Sequence, residues 1–364
     1  MKTRREILMT GALLSAASAL PRKAFAVSPR AAPLAAPWRR FEVVTRLEIA
    51  APAGRSQAWI PLAGFQASEW TRPENDTWIT NGASATLVDD PRYGAKMLHV
   101  IWDDGTGSPS VEVTSRFSAR DRATDLAAPN AQPISAAEKS LYLSETSYIP
   151  TTGAAKALSD KITAGADGEI AKVRAIYEWM VENTFRRAAT RGCGEGDVAA
   201  MLKANDFGGK CADLNGLFVS LVRAAGIPAR DIYGVRVAPS KLGYKSLGAN
   251  TANITKSQHC RSEVYFSDLG WVAMDPADVR KVMLEETPEG LPLNDEKVIA
   301  ARKMLFGAWE GNWLAYNTAH DLALPGSQGP AIGFLMYPQV ETAAGRLDCL
   351  SPETVRYSIT ASEI

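Results

Sequence analysis

Three side chains whose types together can open an amide bond follow one another in the chain: Cys211, His259 and Asp275. A thiol becomes a strong nucleophile when a base takes its proton, and an imidazole serves as that base when a carboxylate fixes its tautomer. Cys211 sits in the stretch FGGKCADLNGLFVSLVRAAGIPAR, just after Gly208 and Gly209 and at the head of an apolar run. Unpaired amides at a helix N-terminus favour a thiolate there. The two glycines leave room for another backbone or a substrate. On this stretch alone a second reading stands beside the first: a small cysteine buried at the start of a helix.

The neighbouring residues define the elements that would hold this chemistry. From Cys211, apolar residues fall at Leu214, Leu217, Phe218, Leu221, Val222 and Ala225, steps of three and four that predict a helix with one buried face. Gly226 and Pro228 stop it. His259 opens the strand-like QHCRSEVYF, and Asp275 ends WVAMD beyond the turn FSDLG. Side chains alternate faces along a strand, so His259, Arg261 and Glu263 share one side and Cys260 takes the other. Asp275 can join the histidine side only if Tyr265 lies opposite Trp271. That pairing needs an odd-numbered loop, Phe266 to Gly270, with Gly270 suited to a positive φ.

The remaining cysteines are Cys193, Cys260 and Cys349. In an oxidising compartment one pair and one odd thiol is the simplest count, with Cys193 favoured over Cys349 as the partner of Cys260. A metal site from Cys193, Cys260 and His259 lacks the paired spacing of zinc ligands. Neither a metal nor a cofactor is expected. Asp213 and Asn215, in the first helical turn, are candidates to cap the helix or touch the active site. His99 and His320 are expected to be structural, and the aromatics of WEGNWLAYNTAHDLALPG to pack the C-terminal segment onto the core rather than line a groove.

The segments GGKCADLNGLFVSLVRAAGIPAR and HCRSEVYFSDLGWVAMDPAD resemble the transglutaminase-like superfamily, whose fold is related to the papain-like cysteine proteases. The shared pattern appears as Gly209-Lys210-Cys211, Gly226-Ile227-Pro228-Ala229-Arg230, His259, and Gly270-Trp271 through Asp275-Pro276. The resemblance covers roughly residues 165–282. It implies that Cys211 is the nucleophile, His259 the general base and acid, and Asp275 the orienting carboxylate. It departs from the family at Arg261, where many relatives carry a tryptophan two residues after the histidine; a differently lined substrate groove is the expected result. The Cys211 amide would form part of an oxyanion hole, with its second donor unassigned.

The expected fold class is α+β: a transglutaminase-like (papain-like) core, residues 150–282, after a β-sandwich-like domain, residues 38–125, and before a mixed C-terminal extension, residues 283–364, packing on the core. The strand candidates of the β domain are FEVVTRLEI, QAWIPL, KMLHVIW and SVEVTSRF. GFLMYP and VRYSITA read as strand-like pieces near the C-terminus.

Residues 1–26 read as a signal peptide: a basic start, an apolar run from Ile7 to Leu20, and Ala24-Phe25-Ala26 as a cleavage site. Thr3-Arg4-Arg5-Glu6-Ile7-Leu8 resembles the twin-arginine export motif. Residues 27–37 read as a Pro- and Ala-rich linker. The net charge of the 364 residues is zero, but removing residues 1–26 leaves 35 basic against 39 acidic side chains. That balance offers no footprint for nucleic acid, and no later segment is apolar enough to span a membrane. The expectation is an exported, periplasmic cysteine enzyme acting on peptide or protein substrates, the cell envelope being one source. Hydrolysis by an acyl-enzyme route is favoured over acyl transfer to an amine, and a non-catalytic binding scaffold is the reading of a different class.

Overall fold

The structure, a computed structural model, describes residues 36–364 apart from 130 and 132. The expected signal peptide and nearly all of the linker lie outside the described residues. No helix among the described residues is long and apolar enough to cross a membrane.

Counting strands of four residues or more, the N-terminal part supplies β1 (Arg39–Ile49), β2 (Ser56–Pro61), β3 (Thr71–Thr80), β4 (Ser84–Asp89), β5 (Lys96–Trp102) and β6 (Ser110–Ala119). Alternation is clear in β6, where every second residue is buried, and it places Val111, Val113 and Phe117 on the inner face. Helices α1 (Ala136–Leu141), α2 (Gly153–Thr163), α3 (Glu169–Asn183), α4 (Val198–Ala204) and α5 (Cys211–Ala224) follow. Then come β7 (Ala229–Arg236), β8 (Gln258–Phe266), β9 (Gly270–Met274), α6 (Pro276–Glu285), α7 (Glu296–Met304), β10 (Trp313–Asn317), β11 (Gln339–Thr342) and β12 (Val355–Glu363).

Two sheets form the sandwich, in the orders β12-β1-β6-β3 and β11-β2-β5-β4, the latter extended beyond β11 by the short strand Gly345–Arg346. Their facing residues, among them Leu47, Ile60, Val100, Trp102, Val113 and Val340, make one apolar cluster. Both sheets take a strand from residues 283–364. β12 pairs with β1 over nine residue pairs, Phe41↔Glu363 to Ile49↔Val355, and β11 pairs with β2. Two strands, β3 and β4, are not singled out from sequence: β3 is largely polar, both are mostly exposed, and Pro73 interrupts the first beside a register shift. GFLMYP is not a strand; β11 begins just after it, at Gln339.

The core sheet runs β9-β8-β7-β10, antiparallel throughout. Helix α5 packs against it, and every residue of α5 is buried. Leu214, Leu217, Phe218, Leu221 and Val222 are wholly removed from solvent, each stabilising the fold by roughly 1.5–3 kcal/mol. This burial fixes the axis of α5 and so the place of its first residue, Cys211. The hairpin has the register that the histidine–aspartate geometry requires, Tyr265↔Trp271. One more pair, Phe266↔Gly270, shortens the loop to Ser267, Asp268 and Leu269, still odd, with Gly270 at φ 73°.

Phe218 stands against Tyr177 at the centre of this packing. Phe218→Ala is expected to cost about 3–5 kcal/mol, read as a lower urea midpoint with an unchanged slope; a loss below about 1 kcal/mol would contradict the packing described.

Candidate active site

Each of the three sequence-identified residues is delivered by the end of an element. Cys211 is the first residue of α5, His259 the second of β8, and Asp275 the N-cap of α6. His259 Nε2 lies 2.7 Å from Asp275 Oδ2. That bond leaves Nδ1 as the ring nitrogen able to face sulfur, and the imidazole is near enough to Cys211 to favour its thiolate. Cys211 and His259 line one cavity of about 680 Å³.

Asp275 performs two tasks with its two oxygens. Oδ2 holds His259, while Oδ1 accepts from the Asp278 amide at 3.1 Å and from Asn215 Nδ2 at 3.2 Å. Asn215 also donates to the Cys260 carbonyl at 2.9 Å, so a residue of α5 ties β8 to the aspartate. Asp213, two residues into the same helix, caps it instead. Its carboxylate accepts from the Lys210, Glu195 and Gly196 amides at 2.9, 3.0 and 3.0 Å. A Cβ at Gly209 would collide with that carboxylate, which is the close approach the glycine permits.

Two residues join the site without having been singled out from sequence. Asp278 Oδ1 lies 3.3 Å from His259 Nε2, and Arg236 clasps both Asp278 oxygens at 2.6 and 2.7 Å. The signal for Asp278 is present in Asp275-Pro276-Ala277-Asp278. Spacing of three on a helix keeps the second carboxylate beside the first. Arg236 ends β7 and has no such local signal. His259, Asp275 and Asp278 offer ligand atoms within 4.8 Å of one another, the one grouping among the described residues suited to a metal ion. Arg236 already supplies a cation to that carboxylate.

Electrostatics favour a thiolate–imidazolium pair. The neighbouring Cys193 and Cys260 thiols hold the Cys211 pKa well below the usual thiol range; burial opposes this lowering, and His259 adds to the lowering. The same contact, with burial, pushes Cys193 and Cys260 well above that range. Burial works against a charged His259 and Arg236 adds to the penalty, but the carboxylates of Asp278 and Asp275 outweigh both and raise it to about 9.

Several expectations change. All four cysteines are free; Cys193 and Cys260 flank the Cys211 thiol rather than bonding to each other. Arg261 does not line the cavity. It is buried, donates to the Glu310 carbonyl at 2.8 Å and stacks on Trp309 and Trp313. Those tryptophans pack against Trp70, and His99 stacks on Trp59. Burial drives His320 down to about 3. The cavity wall includes Tyr337, Leu350 and Tyr357, so the C-terminal segment borders the site.

Residues 156–276 match the transglutaminase-like superfamily. An uncharacterized protein of Haemophilus influenzae is 33% identical over 326 residues, covering 85% of this chain and 87% of that protein. The uncharacterized protein YebA of Bacillus subtilis is 27% identical over 124 residues, 33% of this chain and 17% of its own. A crystal structure of a candidate cysteine protease from Cytophaga hutchinsonii superposes with a TM-score of 0.51 at 13% identity, covering 90% of this chain and 98% of that one. At that identity the likeness is one of fold.

Cys260→Ala removes one of the thiols that favour the thiolate, so the pH midpoint for Cys211 alkylation by iodoacetamide is expected to rise; an unmoved midpoint would deny that influence. Asp213→Ala leaves three amides without their acceptor, a cost of about 1–3 kcal/mol, and is expected to speed amide exchange at Glu195 and Gly196.

Proposed function

Residues 156–276 form a transglutaminase-like domain, and from that premise we propose that this chain is an exported enzyme that hydrolyses amide bonds through Cys211, His259 and Asp275. The observation that carries the reading is the 2.7 Å bond between His259 and Asp275 beside a thiol set at a helix N-terminus.

The chemistry balances with these groups alone. The Cys211 thiolate attacks the amide carbonyl carbon, and the Cys211 amide meets the oxyanion. The His259 imidazolium gives its proton to the departing nitrogen as the C–N bond breaks, leaving a thioester. A water then attacks the thioester while His259 takes its proton, and the thiolate leaves with the acid product. Asp275 keeps the ring oriented through both steps and stabilises its charged form. Transfer of the acyl group to an amine would follow the same first half. Hydrolysis is favoured because water is always present, and no residue has been assigned to hold an amine.

Export rests on the sequence of residues 1–26, with its basic start, apolar run and paired arginines, and the periplasm is the proposed compartment.

Cys211→Ala is expected to reduce cleavage of model amides to background, and His259→Ala to lower kcat about 10²–10⁴-fold. Full turnover by Cys211→Ala would sink the mechanism. The pH profile of kcat/KM should be bell-shaped. Its acid limb, where the thiolate is protonated, lies well below the usual thiol range. Its alkaline limb lies near 9, where His259 loses the proton that the leaving nitrogen needs. Adding a primary amine and following the product by mass separates hydrolysis from transfer.

A further inference from the structure

The cavity beside Cys211 is strongly biased in charge. Seven of its lining side chains are Lys or Arg, and one, Glu285, is acidic. Most of these cations are already engaged. Arg236 is held by Asp278, Arg186 and Lys281 by Glu285, Arg191 by Asp348, and Arg356 reaches Glu48 at 3.4 Å. Lys210 and Lys256 have no ion pair among the described residues. They come from the segments that carry the two reacting side chains: Lys210 precedes Cys211, and Lys256 stands three residues before His259.

The uncharged polar groups lean the same way. Gln258 Nε2 and Tyr337 Oη line the cavity, are buried, and lack a well-formed hydrogen bond. Each has a neighbour, the Tyr357 hydroxyl for Gln258 and the Cys193 thiol for Tyr337, but neither neighbour satisfies it. An amide N–H and two ammonium groups are donors only, and a phenol can donate. Apart from the Cys211 thiolate and Glu285, the ionisable side chains able to carry charge on this wall are mainly cationic. A buried donor left unpaired is costly, so the ligand that completes this cavity brings carboxylate and carbonyl oxygens.

We propose that the substrate is an acidic peptide, with a carboxylate close to the scissile amide on one or both sides, and that Lys210 and Lys256 read those carboxylates while Gln258 and Tyr337 donate to the peptide backbone or the carboxylate. This inference rests on the amide-cleaving reading of the same site and adds the substrate class. The volume of about 680 Å³ suits a short peptide segment.

The test reads binding rather than turnover. Iodoacetamide labelling of Cys211 in the mature wild-type protein is followed by mass while one of three capped pentapeptides is titrated in. They share a glycine centre and carry glutamate, serine or lysine at the flanking positions. The glutamate peptide is expected to protect Cys211 at a concentration about tenfold lower than the serine peptide, as a pair of opposite charges near 4 Å implies. In about 0.5 M salt the advantage should fall below roughly twofold. Lys210→Gln and Lys256→Gln, made separately and together, should remove it stepwise. Lys256 lies outside helix α5, so its variant reports charge without touching the helix start. Equal protection by the glutamate and serine peptides, better protection by the lysine peptide, or no protection by any of them overturns the proposal. Acidic protection without cleavage of any amide would instead retire the hydrolase reading and leave the acidic specificity standing. Cleavage of neutral and acidic amides at equal kcat/KM would do the reverse.

Discussion

A buried imidazolium has to be balanced by buried charge, and the site is organised around that requirement. His259 is surrounded by protein and is held protonated by Asp275 and Asp278. Two carboxylates against one imidazolium would leave an excess of negative charge, and the Cys211 thiolate adds to it. Arg236, bound to Asp278, and Arg261, within electrostatic range of both aspartates, restore the balance at three charges of each sign. Ionised groups taken out of water are tolerated on these terms and not otherwise. Arg261 therefore has a reason to stand where the family pattern has a tryptophan. It replaces apolar bulk with a cation, and its guanidinium still lies on Trp309 and Trp313 as a flat aromatic ring would.

The same constraint explains why the elements meet at their ends. A helix N-terminus and a strand terminus leave backbone groups unpaired, and polar side chains collect there to satisfy them. Asp275 caps α6 through Oδ1 and orients His259 through Oδ2. Asp213 caps α5 and also gathers the amides of the loop carrying Cys193. The side chains that finish the secondary structure are thus the ones that position the reacting groups, and a change that loosens a cap also loosens the site.

How much of this is legible in the sequence follows from how local each signal is. The helical step from Cys211 to Val222 and the odd loop between Tyr265 and Trp271 are set within a dozen residues or so, and both match the structure. The pairing of His259 with Asp275 follows from that parity. By contrast, β1 pairs with β12 across almost the whole described chain, and no pattern within either strand names its partner. Arg236 reaches Asp278 from another element 42 residues away, and an ion pair between separate segments leaves no periodic trace. Cys193 illustrates the third kind of limit. Its loop is recognisable as glycine-rich, but that it turns inward to meet Cys211 depends on Asp213 drawing the Glu195 and Gly196 amides onto the helix. A count of cysteines and a guess at the compartment therefore favoured a disulfide, where the structure has a cluster of thiols around one thiolate.

The C-terminal strand gives the architecture its last consequence. β12 completes the sandwich sheet by pairing with β1, and its first residues, Val355 to Tyr357, also wall the cavity beside Cys211. Val355 packs inside the sandwich, and Tyr357 packs against both the core around α5 and the sandwich interior. One strand is thereby shared between the element that stabilises the N-terminal sheets and the surface that a substrate meets. The sheet on which β12 is laid therefore sets where Tyr357 stands in the cavity wall. The β-rich region is in that sense part of the active site's construction, although none of its own side chains lines the cavity beside the thiol.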